Sequence, residues 1–505
     1  MQDYQTSTNS QKRHFWRAID LGQQSLRWKD VVYHQRPSDH QATIKGELTK
    51  TSELLEQMIT LDRLALCELE SLTTSSKSNQ SVLGRPIKFP QWKQIDTLTS
   101  SPYLGSMYHT AQRNGYLWVN TDEGEFKPTT LLSRWLSETL TPPKTIGEEP
   151  KHKEQSLIWL TSTGRLPSVA ALTYRCLSEL PYAQGASINK AIAILIGLGA
   201  SMHKAPKGLW GVLDIGMSQG SWTLIESGES HVQDHLTLKV LRAYGRSWIG
   251  ERGLRRALLN HYLNQSHTSW SELSQTQRVD WIDYVSLQAD HALKKSWPRH
   301  LISPHHNSLN QDTEMDDKAL DIFQRYQHGT YLGILAWIKH SLETCNVGTE
   351  ALKGIYITGK HGISLVPSLK RALSAVNIRV IPENTAFEGA QHYVQRTLYD
   401  QNYGYHVEEC SPYALIIRDD TEGLTKVVFE EQSSLPLVKE VEIGPSKGPL
   451  SLWLSSYGDI EQKVAFHPPL KERTKLQIYY EGPHLFELIW TEKTEHTEAW
   501  QRSET

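Results

Sequence analysis

Two short segments of the sequence combine an aspartate with a glycine-containing turn at the end of an apolar run. They are Asp20–Gly22 and Asp214–Gly216. A turn of this kind lets backbone N–H groups approach and cradle phosphate oxygens, and an aspartate at the end of a strand can hold the hydrated Mg²⁺ that accompanies those phosphates. Because Asp-x-Gly turns are common in ordinary loops, either segment taken alone is better explained as a plain hairpin.

A third glycine turn, at 357–362, ends the apolar run GIYITG and contains Gly359 and Gly362. The runs FWRAIDL at 15–21 and LWGVLDIG at 209–216 lead into the first two turns, and all three runs are predicted strands. The order and spacing of three such turns favour a shared phosphate site over three unrelated hairpins.

Hydrophobic periodicity predicts the elements that must position these turns. Apolar residues at helical spacing predict helices at 50–72, 128–139, 168–180, 188–200, 250–265 and most of 316–345. Further strands are predicted at 156–161 and 221–227, and the second of these forms a hairpin with the run at 209–216. From about residue 396 the pattern changes to short alternating segments between glycine and proline turns, which predicts a small β-sandwich.

The order of these segments resembles the actin-like ATPase superfold, and finer matches resemble the DnaK-type heat-shock chaperone family. The matching segments are VLGRPIK at 82–88, INKAIAILIGLGA at 188–200, GRSWIGERGLRRALLNHYL at 245–263 and PENTAFEGAQHYV at 382–394. They occur in family order from about residue 15 to the end of the chain. The resemblance implies an α/β fold: an actin-like, ribonuclease-H-like duplicated nucleotide-binding domain of two lobes, followed by a C-terminal β-sandwich.

The same resemblance implies a division of the chain into domains. Residues 1–13 are expected to form a disordered lead-in, and residues 14–395 the nucleotide-binding domain. Residues 396–495 are expected to form a β-rich domain like the family's substrate-binding domain, and residues 496–505 a tail.

ATP or ADP with Mg²⁺ is the ligand that the resemblance implies, bound between the two lobes. The metal is expected at Asp20 and Asp214. The other residues that the resemblance places around the nucleotide are Gly22, Gln23, Gln24, Lys190, Gly216, Met217, Ser218, Gly245, Gly250, Arg252, Gly359 and Gly362.

Several family positions with chemical roles are changed in this chain. Gln23 and Gln24 replace threonines that contact phosphate, and Met217 replaces a glycine whose missing Cβ lets phosphate approach. The family's catalytic lysine falls near Ser106, and its metal-ordering glutamate has become Lys190. Phosphoryl transfer depends on positioned charge and metal, so weak or lost hydrolysis is expected, and no residue is assigned a catalytic role.

Lys190 has two interpretations from the sequence. Its ammonium could contact a phosphate directly and stand in for the metal, or the side chain could lie on the surface of a site that no longer needs its old charge. The second interpretation is favoured, since most lysines are exposed.

The C-terminal segment YALIIRDDTEGLTKVVFEEQSSLPLVKEV, at 413–441, resembles the start of the family's peptide-gripping β-domain. It implies unfolded or partner polypeptides as ligands, with co-chaperones as further partners. The family's apolar interdomain linker is not evident at 398–409, and no helical lid is expected after the last strand.

The function predicted from these features is that of a DnaK-like chaperone-related protein that binds ATP or ADP with weak or lost hydrolysis and binds polypeptide through its β-domain. The alternative is a non-catalytic pseudo-ATPase scaffold that keeps the fold without the ligand. A small-molecule kinase of the same superfold is disfavoured, because such a kinase needs no peptide-binding sandwich.

Composition excludes some partners and predicts a location. The net charge is −3 and the isoelectric point about 6.8, so neither nucleic acid nor a charged membrane surface is an expected partner. The longest apolar run, at 191–200, is too short to span a membrane. The N-terminus lacks a signal-like apolar core, and the four cysteines are far apart, so a reducing cytoplasm is expected.

Overall fold

A computed structural model gives the structure of the chain. It describes most of 184–268 and 317–500, strand segments within 12–35, 57–60, 119–126 and 155–161, and part of 281–293.

The N-terminal part contributes a mixed sheet. Its strands are β1 (Lys12–Leu21), β2 (Ser25–Gln35), β3 (Gln57–Thr60), β4 (Val119–Thr121), β5 (Gly124–Phe126), β6 (Gln155–Thr161) and β7 (Gln184–Asn189). Strands β4 and β5 pair as a two-stranded ribbon, and the other five form a sheet in the order β3-β2-β1-β6-β7. Strands β1, β2 and β3 are antiparallel neighbours, whereas β1, β6 and β7 run parallel.

The middle of the chain builds a larger sheet with helices. Its elements are α1 (Lys190–Ala200), β8 (Gly208–Ile215), β9 (Gly220–Glu229), β10 (Leu236–Arg246), α2 (Glu251–Gln265), α3 (Asp317–Thr344), β11 (Leu352–Thr358), α4 (Lys360–Ala372), β12 (Ile378–Val380) and α5 (Thr385–Val394). The sheet has seven strands in the order β12-β11-β8-β9-β10, followed by β13 and β16 from the C-terminal part.

The same topology occurs in both sheets. Strands β8, β9 and β10 are antiparallel neighbours, and β8, β11 and β12 run parallel, as β1, β2, β3 and β1, β6, β7 do in the first sheet. Strand β1 is therefore the counterpart of β8. Their ends carry the equivalent residues Asp20 and Asp214.

Among its described residues the C-terminal part contains strands and turns but no helix. The strands are β13 (Tyr405–Cys410), β14 (Ala414–Asp419), β15 (Thr425–Phe429), β16 (Ser434–Leu435), β17 (Leu437–Ile443), β18 (Leu450–Ser456), β19 (Ile460–His467), β20 (Thr474–Gly482), β21 (Leu485–Thr491) and β22 (Thr497–Trp500). Two four-stranded sheets, β15-β14-β18-β19 and β17-β20-β21-β22, share a core that includes Leu415, Leu452, Leu476 and Ile478.

Helices α1 and α5 cross at two glycines and pack against inward-facing residues of both mixed sheets. Trp16 and Ile158 from the first sheet share this core with Val212 from the second. A Cβ on Gly197 would lie 2.2 Å from the carbonyl oxygen of Thr385, and a Cβ on Gly389 only 1.6 Å from that of Ala193. The helix backbones are thus in direct contact, as only glycine permits.

The opposite face of the larger sheet is covered by α3 and α4. Leu213 lies on this face, one residue from Val212 on the other, so β8 is buried on both sides. Trp222 packs on the same face and donates a hydrogen bond from Nε1 to Ser341 Oγ of α3 at 3.0 Å. Burial on both faces explains why β8 is a nearly continuous apolar run.

Strand β13 joins the larger sheet to the C-terminal strands. It pairs in parallel with β10, where Leu236 is opposite Tyr405 and Lys239 is opposite Glu408. No apolar linker was evident at 398–409 from the sequence, yet the last residues of that segment form an ordered strand. Backbone pairing needs no apolar side chains, and half of this strand is polar.

Most described elements agree with the sequence predictions. The strands at 15–21, 156–161, 209–216, 221–227 and 354–359 and the helices at 188–200, 250–265 and 316–345 are confirmed within a few residues. The helices predicted at 128–139 and 168–180 lie outside the described residues.

Two local predictions were wrong where they can be compared. The helix predicted at 50–72 is wrong in its described part, because Gln57–Thr60 is strand β3, whose backbone hydrogen bonds go to β2. The disordered lead-in was placed at 1–13, but Lys12 and Arg13 already belong to β1 and pair with Gln35 and His34. The helices that the structure describes include none with the length and apolarity to cross a membrane.

Candidate functional site

Two aspartates mark the ends of the equivalent central strands. Asp20 is the second-last residue of β1, and only 4% of its surface is exposed. Asp214 is the second-last residue of β8 and is partly buried. Each strand is central in its own sheet, with an antiparallel neighbour on one side and a parallel neighbour on the other, so pairing on both sides fixes the backbone that carries each carboxylate.

Lys190 lies between the two aspartates. It is the first residue of α1 and directly follows β7. Its Nζ lies 3.3 Å from Oδ2 of Asp20 and 3.1 Å from Oδ2 of Asp214, and its side chain is 14% exposed. The interpretation of Lys190 as a surface residue is therefore wrong: its ammonium joins carboxylates from both mixed sheets.

Asn189 fixes the start of the helix that carries Lys190. This residue is buried, and its Oδ1 accepts a hydrogen bond from the backbone N–H of Ala191 at 2.9 Å. An asparagine in this position caps the free N–H groups of a helix. The cap orients the first turn of α1, and with it the lysine stem.

The charge of the Asp20–Lys190–Asp214 triad differs from that of a metal site. Two carboxylates and one ammonium leave one net negative charge, whereas a divalent cation between the same carboxylates would leave none. A polyphosphate would therefore meet a less favourable potential here than at a metal-loaded pair of aspartates. Across the part of the chain that the structure describes, no group of three or more His, Cys, Asp or Glu side chains could hold a metal ion.

Two of the predicted glycine turns, those with Gly216 and Gly359, meet the segment of Gly250 beside Asp214. The N–H of Glu251, which follows Gly250, donates to the carbonyl oxygen of Gly216 at 3.3 Å. Gly359 has φ +83°, and a Cβ there would lie 2.1 Å from the carbonyl oxygen of Ile215. The structure thus brings together the segments that carry Gly216, Gly250 and Gly359.

The other predicted site residues are placed less closely or are not described. Gly362 lies in the first turn of α4, where a Cβ would be 2.8 Å from Ile357 Cγ2. Gly245 is in β10, and it pairs with Ser221, which itself pairs with Asp214. Gly22, Gln23, Gln24, Met217 and Ser218 and the side chain of Arg252 lie outside the described residues.

A buried polar layer supports the glycine turns, and the sequence interpretation missed it. The Oη of Tyr326 donates to the carbonyl oxygen of Gly250 at 2.7 Å and accepts from its N–H at 3.2 Å. His361 is buried against Tyr326, and burial lowers its pKa to about 4 despite the opposing influence of Glu251, so the imidazole is neutral near pH 7. Glu251 is paired with Arg255 one turn further along α2.

Removing the Tyr326 hydroxyl is expected to destabilise this layer. In Tyr326→Phe the N–H of Gly250 loses this partner, and the carbonyl oxygen keeps only the N–H groups of Gly253 and Leu254. We expect the free energy of unfolding to fall by about 1–3 kcal/mol. Urea unfolding followed by tryptophan fluorescence measures the loss. The matched control is Tyr331→Phe on the same helix, which is expected to be neutral within about 0.5 kcal/mol; equal losses in both variants would contradict the assigned role.

Comparison with known proteins leaves the family open. The chain matches no protein-family model, and no curated protein is similar to it at a significant level.

Proposed function

We propose that the chain is a chaperone-related pseudo-ATPase. In this proposal an actin-like domain of two lobes is held together by Lys190 where related ATPases use a metal-bound nucleotide, and a C-terminal β-sandwich binds unfolded or partner polypeptide. The observation that carries the proposal is the ammonium of Lys190 between Asp20 and Asp214.

The repeated sheet topology supports the actin-like part of this proposal. Two sheets with the same strand order and the same pairing senses are what a duplicated ribonuclease-H-like fold requires. The aspartates lie at equivalent strand ends, and the helix crossing at Gly197 and Gly389 lies between the sheets. The resemblance to DnaK-type chaperones placed Asp20, Lys190 and Asp214 at one cleft, and these three side chains are in contact.

The triad also supports the loss of hydrolysis. Phosphoryl transfer needs a divalent cation to neutralise charge and a group that orients the attacking water. Lysine at 190 supplies one positive charge and cannot accept a proton from water while it is ionised. Three more changes predicted from the sequence, Gln23, Gln24 and Met217, act in the same direction.

A second candidate function is nucleotide binding without hydrolysis. It is favoured by the close approach of the turns at Gly216, Gly250 and Gly359, whose backbone geometry suits phosphate or ribose contact. In that case the ligand is ATP or ADP, and the Mg²⁺ expected from the family is replaced at least in part by Lys190.

Polypeptide binding by the C-terminal strands is supported by their two-sheet arrangement and by exposed apolar residues on edge strands. Val427 on β15 and Val438 on β17 are 51% and 67% exposed, and each lies on an edge strand of its four-stranded sheet. Edge strands can extend a sheet onto an added peptide. The same proposal includes co-chaperones as further partners. It also includes a cytoplasmic location, with which the free thiols of Cys345 and Cys410 are consistent.

Isothermal titration with ATP tests the proposal. For the wild-type chain we expect the heat measured on adding ATP to be the same in Mg²⁺ as in a chelator. We also expect no release of phosphate from ATP above that of a heat-denatured sample. In Lys190→Glu, which restores the family's acidic residue, we expect the heat to become dependent on Mg²⁺. Mg²⁺-dependent hydrolysis by the wild type that is lost in Asp20→Ala and Asp214→Ala would overturn the pseudo-ATPase assignment.

A further inference from the structure

At the junction between the larger mixed sheet and the C-terminal strands, two groups attach to the edge of β10 that does not pair with β9. The first is β13, which pairs in parallel with residues 236–239. The second is the side chain of Gln432, whose Oε1 accepts from the N–H of Ala243 at 2.8 Å and whose Nε2 donates to the carbonyl oxygen of Ala243 at 2.9 Å. The carboxamide thus takes the place of a neighbouring strand at Ala243.

The second attachment is built into the C-terminal part by an unusual backbone. Gln432 has φ +67°, in the left-handed region, and its N–H donates to the carbonyl oxygen of Ser411 at 2.7 Å. Its Oε1 also accepts a hydrogen bond from the thiol of Cys410 at 3.2 Å. The attachment of Gln432 to Ala243 and the end of β13 therefore form one connected unit.

Glu409 is the residue in this unit whose environment does not suit its charge. It shares a face of β13 with Tyr405 and Val407, which pack against the core around α1 and α5. Its Oε2 is buried and has no hydrogen-bond partner among the described residues. Burial raises the pKa of Glu409 to about 7, since its Oε2 loses its hydration there without gaining a hydrogen bond.

The charged side chains of β10 near Glu409 have other partners. Lys239 of β10 pairs with Glu408 at 3.1 Å, and Arg242 of the same strand bonds to Thr344 and to the carbonyl oxygen of Leu241. Other titratable groups among the described residues of the junction are Tyr393 of α5, Arg396 after it, Glu431 beside Gln432, and His406, Tyr405 and Cys410 on β13 itself.

We propose that Glu409 makes the attachment of β13 to β10 sensitive to pH. With Glu409 protonated the strand stays docked and the C-terminal sheets are held against the larger sheet; with Glu409 ionised the strand separates more readily, and Gln432 with it. This inference concerns the junction and does not depend on what the cleft at Lys190 binds.

The direction of the effect follows from proton linkage. The pKa of Glu409 is higher in the docked strand, about 7, than its ordinary value of 4.5. Docking is therefore strongest below pH 4.5, weakens as the pH rises toward 7, and is not weakened further above that value. Between about pH 5.5 and pH 7.5 the opening equilibrium of β13 should increase roughly 20-fold.

Hydrogen exchange of the full chain, followed by mass spectrometry at about pH 5.5 and pH 7.5 with labelling times matched for intrinsic exchange, measures this opening. Peptides covering β10 and β13 report on it directly. For the wild type we expect the opening equilibrium constant to be roughly 20-fold larger at the higher pH. For the neutral variants Glu409→Gln and Glu409→Leu we expect it to change less than about threefold.

The control is Glu408→Gln, which removes the neighbouring carboxylate and its pair with Lys239 but leaves Glu409 unchanged. It should keep the pH dependence of the wild type. Identical pH profiles for the wild type and both Glu409 variants would overturn the proposal, and so would loss of the pH dependence in Glu408→Gln.

Discussion

Replacing Gly389 with alanine is expected to lower the free energy of unfolding by about 3 kcal/mol. A Cβ on this residue of α5 would lie 1.6 Å from the carbonyl oxygen of Ala193 and 2.9 Å from the backbone nitrogen of Gly197, both on α1. Backbone atoms cannot rotate away as a flexible side chain can. The two helices would have to move apart, which opens the core that they share with both mixed sheets.

Chemical denaturation of Gly389→Ala beside Gly329→Ala separates this steric cost from the effect of alanine on a helix. Gly329 is exposed on α3, and a Cβ there meets nothing within 4 Å. Alanine at that position should stabilise the chain by about 0.5–1 kcal/mol, because it restricts the unfolded backbone and favours the helix. A Gly389→Ala variant as stable as the wild type would show that the helices do not cross at this point.

The helix crossing also bears on the site, because α1 begins with Lys190. A shift of α1 away from α5 moves the lysine relative to both aspartates. The stability of the core and the geometry of the triad are therefore coupled through one helix. The glycines at 197 and 389 support the triad from a distance.

The fold could be predicted from the sequence where the signal is local. The buried strands β1, β6, β8 and β11 are apolar runs ending in polar or glycine turns, and the C-terminal strands alternate with period two. Helix α4 was not predicted, because Gly362 in its first turn and Pro367 within it are both unfavourable to helices. Packing against β8, β11 and β12 outweighs these preferences.

The duplicated topology could not be derived from periodicity. It depends on which strands pair, and β1 pairs with β6 across more than a hundred residues. Strands β2, β7 and β10 carry too many polar residues to stand out as buried strands, although each is held in a sheet by its neighbours. For these elements, pairing with neighbouring strands decides the structure and intrinsic preference does not.

The sequence predicted which residues belong to the site better than it predicted how their side chains contact one another. The Asp-x-Gly turns identified Asp20 and Asp214, and the family resemblance identified the position of Lys190. No sequence pattern shows that the ammonium contacts both carboxylates, since the three residues come from separate elements. Tyr326 was missed for the same reason: its bond to Gly250 links α3 to a turn far away in the sequence.

Replacing Lys190 with methionine is expected to lower the free energy of unfolding by about 3 kcal/mol. Methionine keeps most of the length of the side chain and removes the charge. Asp20 and Asp214 would then face one another without the ammonium between them, in a site where the side chain of Asp20 is 6% exposed. Repulsion between two close carboxylates, one of them buried, costs more free energy than an exposed ion pair contributes.

Thermal and urea unfolding of Lys190→Met, with and without millimolar Mg²⁺ or Mn²⁺, tests the charge role itself. If the ammonium takes the place of a metal, a divalent cation should recover part of the lost stability in this variant and leave the wild type unchanged. The control Lys239→Met removes an exposed lysine paired with Glu408 and should cost less than about 1 kcal/mol, without response to the cation. A loss in Lys190→Met that no divalent cation reduces would assign the lysine a purely structural ion pair and remove the argument that it replaces a metal.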